Sequence, residues 1–284
     1  MTNYLNSQTL PPARPPIANN DPLFETTPPA EYDLNSIIPV PSRPLETELV
    51  LVEPLIPSVH GESLAKEFMT GHSDPDVFFY PFPYGRPYSE CIVVQKELKE
   101  THRAHAGPSA TKRETYIYLE KQRRRANVLH FAIVDKRSKE LAGTYALGCS
   151  PDQATLDIRA MSVKLFSRFR GTYVLYHAMY LLLSYVLDPI SDGGCGFVRC
   201  AWRNSVANPR SARVAEKLGL TLEGPMRCYE VSDAYEGYPY EHFQVAADGT
   251  GRLIEDATIY SMSHFDWLRD GKKQRLENIC AKWT

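Results

Sequence analysis

Long hydrophobic runs are missing from this 284-residue sequence. No window approaches the 18 uninterrupted apolar residues that read as a spanning helix. The best run, around Leu181-Leu182-Leu183, is interrupted at Ser184. No basic stretch followed by an apolar one opens the chain, so a secretory signal is not expected. Six cysteines (Cys91, Cys149, Cys195, Cys200, Cys228 and Cys280) are scattered, with no Cys-x-x-Cys pair. The Cys195/Cys200 spacing is not a zinc spacing, and the eight histidines form no His-x-x-x-His pair, so no metal site is expected. Reduced thiols in a cytoplasmic protein are the plain reading. An excess of one charge is also lacking: 32 Lys+Arg against 34 Asp+Glu leave a net charge of −2. That balance argues against a whole-surface binder of nucleic acid or membrane.

Glycine is absent from residues 1–44, where 10 of the 22 prolines lie. Proline removes backbone donors and fixes φ, so neither helix nor sheet propagates there. Residues 1–44 therefore read as an extended arm, either a loose tail or a strap over the domain. Leu23, Phe24, Ile37 and Ile38 favour docking. Residues 45–284 read as a single domain of ordinary composition, long enough to bury a substantial core.

Within that domain, residues 46–54 (ETELVLVEP) read as a first strand and 59–69 as an amphipathic helix. An aromatic-proline stretch covers 78–84, and helices are expected over 89–105 and 114–124. Strands 128–135 and 141–149 flank a hairpin turn at Lys136-Arg137-Ser138-Lys139. Residues 154–165 alternate as a half-buried strand does. A basic turn at 167–171 leads into a helix over 172–187, then a strand over 196–202. A helix over 207–218 is closed by Gly219. Strands 221–232 and 257–263 and a helix over 266–281 complete an α/β fold with a mixed sheet.

Two segments carry chemistry. Arg168-Phe169-Arg170-Gly171-Thr172-Tyr173 lies between a strand and a helix. The unpaired N–H groups of a helix start, its dipole and two arginines make an anion site, and Gly171 lets backbone approach a diphosphate. An ordinary basic turn explains the hexapeptide as well, and it is neither a Walker A loop nor a dinucleotide fingerprint. The second segment runs from Asn208 to Gly224 (NPRSARVAEKLGLTLEG). On their own, Asn208 and Ser211 would be helix caps.

Together the two segments resemble the GNAT acyltransferase superfamily, and especially the branch that acetylates ribosomal-protein N-termini. The diphosphate loop Arg/Gln-x-x-Gly-x-Gly/Ala is matched by Arg168 and Gly171 and departs at Tyr173. The pattern Asn-x-x-Ser, then Gly with an apolar residue, then Glu-Gly is matched by Asn208, Ser211, Gly219, Leu220, Glu223 and Gly224. Ile259-Tyr260-Ser261-Met262 and Trp267 look like that branch's last strand and exit, and Leu45 to Leu49 like its opening strand. The resemblance covers about residues 45–268.

It implies a mixed, mostly antiparallel sheet with helices on both faces and a splayed pair of strands holding the cofactor. It implies acetyl-CoA as co-substrate and direct transfer to an amine of a small molecule or peptide N-terminus. Val163 and Leu165 would pair with the pantetheine arm, Arg168, Phe169, Arg170, Gly171, Thr172 and Tyr173 would hold the diphosphate, and Asn208 would bond the pantetheine side. Ser211 is the implied acid and Glu230, six residues after Gly224, the implied base; Asp157 acting through water is the runner-up. Ala215 stands where other members have a tyrosine acid. Tyr173 narrows the room beside the diphosphate, and Thr172 offers a compensating hydroxyl. The acceptor pocket is expected under residues 78–88, with residues 233–256 as another wall. A catalytically silent acyl-CoA-binding scaffold is the alternative function. Homodimers are common in the family. The basic run Lys121 to Arg125 reads as a solvated helix end rather than an RNA contact.

Overall fold

Thr47 breaks the first strand in two. In the computed structural model its hydroxyl oxygen accepts from the N–H groups of Leu49 and Val50, and its own N–H reaches the Val50 carbonyl. The run read as one strand is thus a tight hairpin of β1 (Leu45–Glu46) and β2 (Val50–Pro54). The structure describes residues 5, 21–73, 111–149, 157–206, 208–232, 243–247 and 253–283. The expected helix over 89–105 and the aromatic-proline stretch lie outside them.

The chain continues through α1 (Pro57–Ser73), α2 (Lys112–Arg123), β3 (Val128–Asp135), β4 (Glu140–Cys149) and β5 (Asp157–Leu165). Next come α3 (Tyr173–Leu187), β6 (Arg199–Ser205), α4 (Pro209–Leu218) and β7 (Thr221–Ser232). It ends with β8 (Phe243–Val245), β9 (Leu253–Ser263), α5 (His264–Leu268) and α6 (Lys272–Cys280). The expected single C-terminal helix is cut in two at Gly271, whose φ of 80° is left-handed. Part of the expected loop over 233–256 is instead strand: β8 pairs with an upward extension of β9.

The sheet order is β1-β2-β3-β4-β5-β6-β9-β7, with β8 also on β9. Every pairing is antiparallel except β5 with β6. Local signals place the helices. A capping box of Thr111 and Glu114 starts α2, and Thr172 caps α3. Asn208 caps α4, Pro209 occupies its first turn, and Gly219 (φ 87°) closes it. Helices α1 and α2 cover one face of the sheet, where the Phe68 and Tyr118 rings meet at 5.7 Å. Helix α3 covers the other, where the Phe131 and Tyr185 rings meet at 6.0 Å, and α6 packs on α3. Among the described residues no helix is long and apolar enough to cross a membrane.

Residues 21–44 are a strap. Leu23, Tyr32, Leu34, Ile37 and Ile38 are buried in the same core as the sheet. Asp21 pairs with Arg124 at 2.8 Å, and the Arg123 guanidinium lies over the Phe24 ring. The Asn35 amide donates to the Arg123 carbonyl and the Ile37 N–H to that of Ala126. The strap then crosses to the α3 face, where the Tyr185 hydroxyl donates to the Pro39 carbonyl and Arg43 to that of Asp192. Its contacts at the start of β3 and the ends of α2 and α3 put it at the end of the sheet opposite residues 167–172. Ile38 is 1% exposed, so Ile38→Ala should cost about 2–5 kcal/mol in urea unfolding. A loss below about 0.5 kcal/mol would mean the strap is not docked in solution.

Candidate functional site

The parallel pair β5–β6 holds for two residues only. Asp157 faces Arg199 and Ile158 faces Cys200; beyond them β5 runs to Leu165 and β6 to Ser205 without further pairing. The parting follows a bulge. Gly148 of β4 faces Ala160 and Cys149 faces Ile158, so Arg159 is the extra residue of β5.

Strand alternation decides which backbone groups line the gap. The Phe166 N–H bonds the Ala142 carbonyl, and a Cβ on Gly143 would lie 2.2 Å from the Lys164 oxygen. Lys164 and Phe166 therefore turn their polar groups to β4, and Val163 and Leu165 turn theirs into the gap. The Leu165 carbonyl already accepts from Arg170 Nε at 3.0 Å, which leaves its N–H. Val163 and Leu165 are thus placed as an open strand edge.

At the wide end of the gap, Ser167–Phe169 make one tight turn before α3. No hydrogen bond among the described residues takes up the N–H groups of Gly171, Thr172 or Tyr173. Gly171 has a φ of 74°, and a Cβ there would meet nothing within 4 Å. The helix start with its dipole and this cleared approach fit an anion.

The side chains of the loop are engaged elsewhere. Arg168 pairs with Glu67 at 2.7 Å and Glu140 at 3.3 Å and lies over the Phe169 ring. Phe169 is itself buried. The Thr172 hydroxyl donates to the Phe169 carbonyl and accepts from the Val174 N–H, so it caps the helix instead of offering a free donor. The Tyr173 ring turns to the β3–β4 hairpin: its hydroxyl donates to Asp135 at 2.6 Å, and the Arg137 guanidinium stacks on it. Burial alone would raise the Asp135 carboxyl, but hydrogen bonds from Tyr173 and Ser138 hold it below its ordinary value. The loop offers an anion its backbone.

Across the gap, the Asn208 oxygen accepts from the Ser211 N–H at 3.1 Å, which leaves the amide NH₂ as a donor. The Ser211 oxygen accepts from Trp202 Nε1 at 2.8 Å. That bond occupies a lone pair and keeps the hydroxyl proton for donation. Asn204, on the same strand as Trp202, has a buried side-chain oxygen without a partner. The Glu230 backbone faces Glu255, past the last β6–β9 pair of Ser205 with Ala257. It follows a bulge over 227–229 in which the Cys228 N–H bonds Asp256. The Glu230 side chain, like that of Asp157, lies outside the described part. Ser211 and Asn208 are therefore brought together, and no distance joins them to the Glu230 carboxylate.

Sequence reasoning missed a second group, on the α1/α2 face. His130 of β3, Ala146 of β4 and Ser162 of β5 share one row of the sheet, and Lys164 is one step along. Lys164 Nζ lies 5.8 Å over the Tyr118 ring of α2. Burial pushes the Lys164 ammonium down to about 8 and the Tyr118 hydroxyl up to about 12. Burial, and then the charges of Lys164 and Arg125, lower His130 to about 3, and its Nε2 is buried without a partner. A histidine and a lysine at inward positions of apolar strands were the available signal. Among the described residues no three His, Cys, Asp or Glu side chains are grouped to hold a metal ion.

The whole arrangement has known parallels. No family model matches the sequence, and no curated protein is significantly similar to it. Solved structures are. A GCN5-related N-acetyltransferase from Brucella melitensis aligns with 85% of this chain and 87% of its own at a TM-score of 0.59 and 22% identity. For an acetyltransferase described as putative, from T. thermophilus, the values are 84%, 96%, 0.55 and 23%. The fold is the GNAT fold. RimL, an acetyltransferase of ribosomal L7/L12 solved with coenzyme A, shares it at a TM-score of 0.50 and 15% identity, over 78% of this chain and 98% of its own. In GNAT terms β5 and β6 are the parting strands, and the expected mixed, mostly antiparallel sheet with helices on both faces is what forms.

The His130 environment has a measurable sign. Its folded value lies below its unfolded one, so the unfolded chain binds more protons between about pH 3 and 6.5, and stability falls as pH falls through that window. Between pH 7.5 and 5 the wild type should lose about 2 kcal/mol more than His130→Gln, read from urea midpoints. Equal losses would contradict a neutral buried imidazole.

Proposed function

We propose that this protein is an N-acetyltransferase that moves an acetyl group from acetyl-CoA to an amine of a small molecule or a peptide N-terminus, with both substrates bound together. The observation that carries this reading is the parting of β5 from β6 into a gap that ends at the N–H groups of Gly171, Thr172 and Tyr173, which no hydrogen bond among the described residues takes up. The coenzyme A held by RimL on the same fold supports it.

Acetyl-CoA supplies an acyl group activated as a thioester. The Val163 and Leu165 backbone would bind the pantetheine arm as a partial added strand. The Asn208 NH₂ and the buried Asn204 oxygen give that arm a donor and an acceptor from β6 and α4. Backbone N–H groups of the loop would hold the diphosphate, while Arg168 braces the loop through Glu67 and Glu140. Positioning of two reactants accounts for up to about 7–11 kcal/mol of barrier in favourable cases. As the amine attacks, a C–N bond forms, the C–S bond breaks, and the amine gives up a proton. In this reading Ser211, which accepts from Trp202, would give a proton to the departing sulfur. Glu230 is the base in this reading, with Asp157 through water as its substitute. A base contributes about 10²–10⁴-fold. The amine would enter on the α1/α2 face, beside Lys164 and His130.

We propose the cytoplasm as its compartment, on the scattered spacing of the six cysteines in the sequence. A homodimer is proposed on the family resemblance alone, and neither nucleic acid nor membrane is proposed as a partner.

Thiol release from acetyl-CoA, measured against a broad amine library, tests the reading. Turnover with at least one amine is expected, and Ser211→Ala and Glu230→Gln should each lower kcat about 10²-fold or more with cofactor affinity within about threefold. Tight acetyl-CoA binding with no thiol release from any amine would leave a silent acyl-CoA-binding scaffold. No binding at millimolar cofactor would remove both readings.

A further inference from the structure

The GNAT resemblance in the sequence ends near residue 268, and α6 lies beyond it. This helix runs antiparallel to α3. Lys272 and Lys273 bond Thr221 and Asp188 at one end, Glu277 meets Tyr180 midway, and Trp283 reaches Tyr173 at the other. Between α6, α3 and the end of α4 lies an open groove of about 460 Å³, lined by Tyr176, Lys217, Arg275, Ile279, Lys282 and Trp283.

Three features of the groove are unusual together. Lys217, Arg275 and Lys282 are exposed, and among the described residues no carboxylate pairs with any of them. Two aromatic side chains line the same space, and Trp283 is 42% exposed. The groove also borders the first turn of α3, which follows the loop, because Tyr176 lines it. The Trp283 ring lies 6.1 Å from that of Tyr173, whose N–H no hydrogen bond among the described residues takes up.

We infer that this groove is the seat of the nucleotide end of coenzyme A: the adenine against Trp283 and Tyr176, and the 3′-phosphate among Lys217, Arg275 and Lys282. The chemistry fits point by point. The diphosphate and the 3′-phosphate of coenzyme A are separated by one ribose, and the groove lining runs from the first turn of α3, at Tyr176, to the basic side chains of α4 and α6. A dianionic phosphate is recognised by converging cations, and a base stacks on exposed aromatic faces. The volume is of the size that small-ligand sites have. The inference rests on the acyl-CoA reading of the gap and adds to it a source of affinity in the C-terminal helix, where the side chains of the loop itself are engaged elsewhere.

Calorimetric titration of the full chain with coenzyme A, 3′-dephospho-coenzyme A and 3′,5′-ADP tests it. Coenzyme A should bind at least about tenfold tighter than its dephospho form, and 3′,5′-ADP should compete with it. In Arg275→Glu and Lys282→Glu, both exposed positions whose thermal unfolding should be unchanged, that preference should fall to within about twofold while dephospho-coenzyme A binds nearly as before. Trp283 fluorescence should change with coenzyme A and be silent in Trp283→Phe. Equal affinity of the wild type for the two forms would overturn the groove while leaving the acyl-CoA gap intact, as would a preference that survives both charge reversals. Failure of every coenzyme A form to bind would overturn the gap and the groove together.

Discussion

Two strands that start as a pair and then part set the terms for everything else in this molecule. Backbone N–H and C=O groups inside a protein need partners, and a gap inside a sheet removes them by the row. Here β5 keeps β4 on one side from Ile158 to Leu165, the bulged Arg159 apart, and loses β6 on the other after Ile158. The cost is tolerable because the sheet is held elsewhere: β6 pairs with β9 over all seven residues from Arg199 to Ser205. The exposed edge becomes useful because α3 and α4 both start at the open end of the gap. Thr172 caps the first and Asn208 the second, and among the described residues no hydrogen bond takes up the N–H groups of Gly171, Thr172 and Tyr173.

A division of labour follows from where charge is spent. Arg168 is committed to Glu67 and Glu140 and steadies the turn before α3. Tyr173 ties the same turn to the β3–β4 hairpin through Asp135. The loop is therefore a braced backbone cradle, and the exposed cations that line the groove stand on α4 and α6. On the opposite face the half-buried Lys164, His130 and Tyr118 form a separate polar patch, so the two sides of the gap differ in character. The strap of residues 21–44 closes the far end of the sheet and leaves the loop end open.

Much of this was legible in the chain itself. Asn208, Pro209 and Gly219 announce both ends of α4 by side-chain and backbone chemistry that needs no tertiary context, and Asn208 to Gly224 carried the strongest resemblance. Alternation in residues 154–165 was enough to find β5, and the family resemblance named Val163 and Leu165 on it. What was not legible depends on partners distant in sequence. Glu67 lies 101 residues from Arg168, so a basic loop looked like two free arginines. Thr47 looked like one more strand residue until its hydroxyl closed a turn. His130 and Lys164 meet only because β4 lies between their strands, and α6 became part of a site only by lying back along α3.

The most direct measurement is amide hydrogen exchange on the full chain with and without saturating acetyl-CoA. The amides of Val163 and Leu165 in the gap and of Gly171, Thr172 and Tyr173 in the loop should all slow when the cofactor is bound. Saturated binding that leaves those five amides exchanging as in the free protein would contradict the claim that the parted strands and the loop backbone hold acyl-CoA.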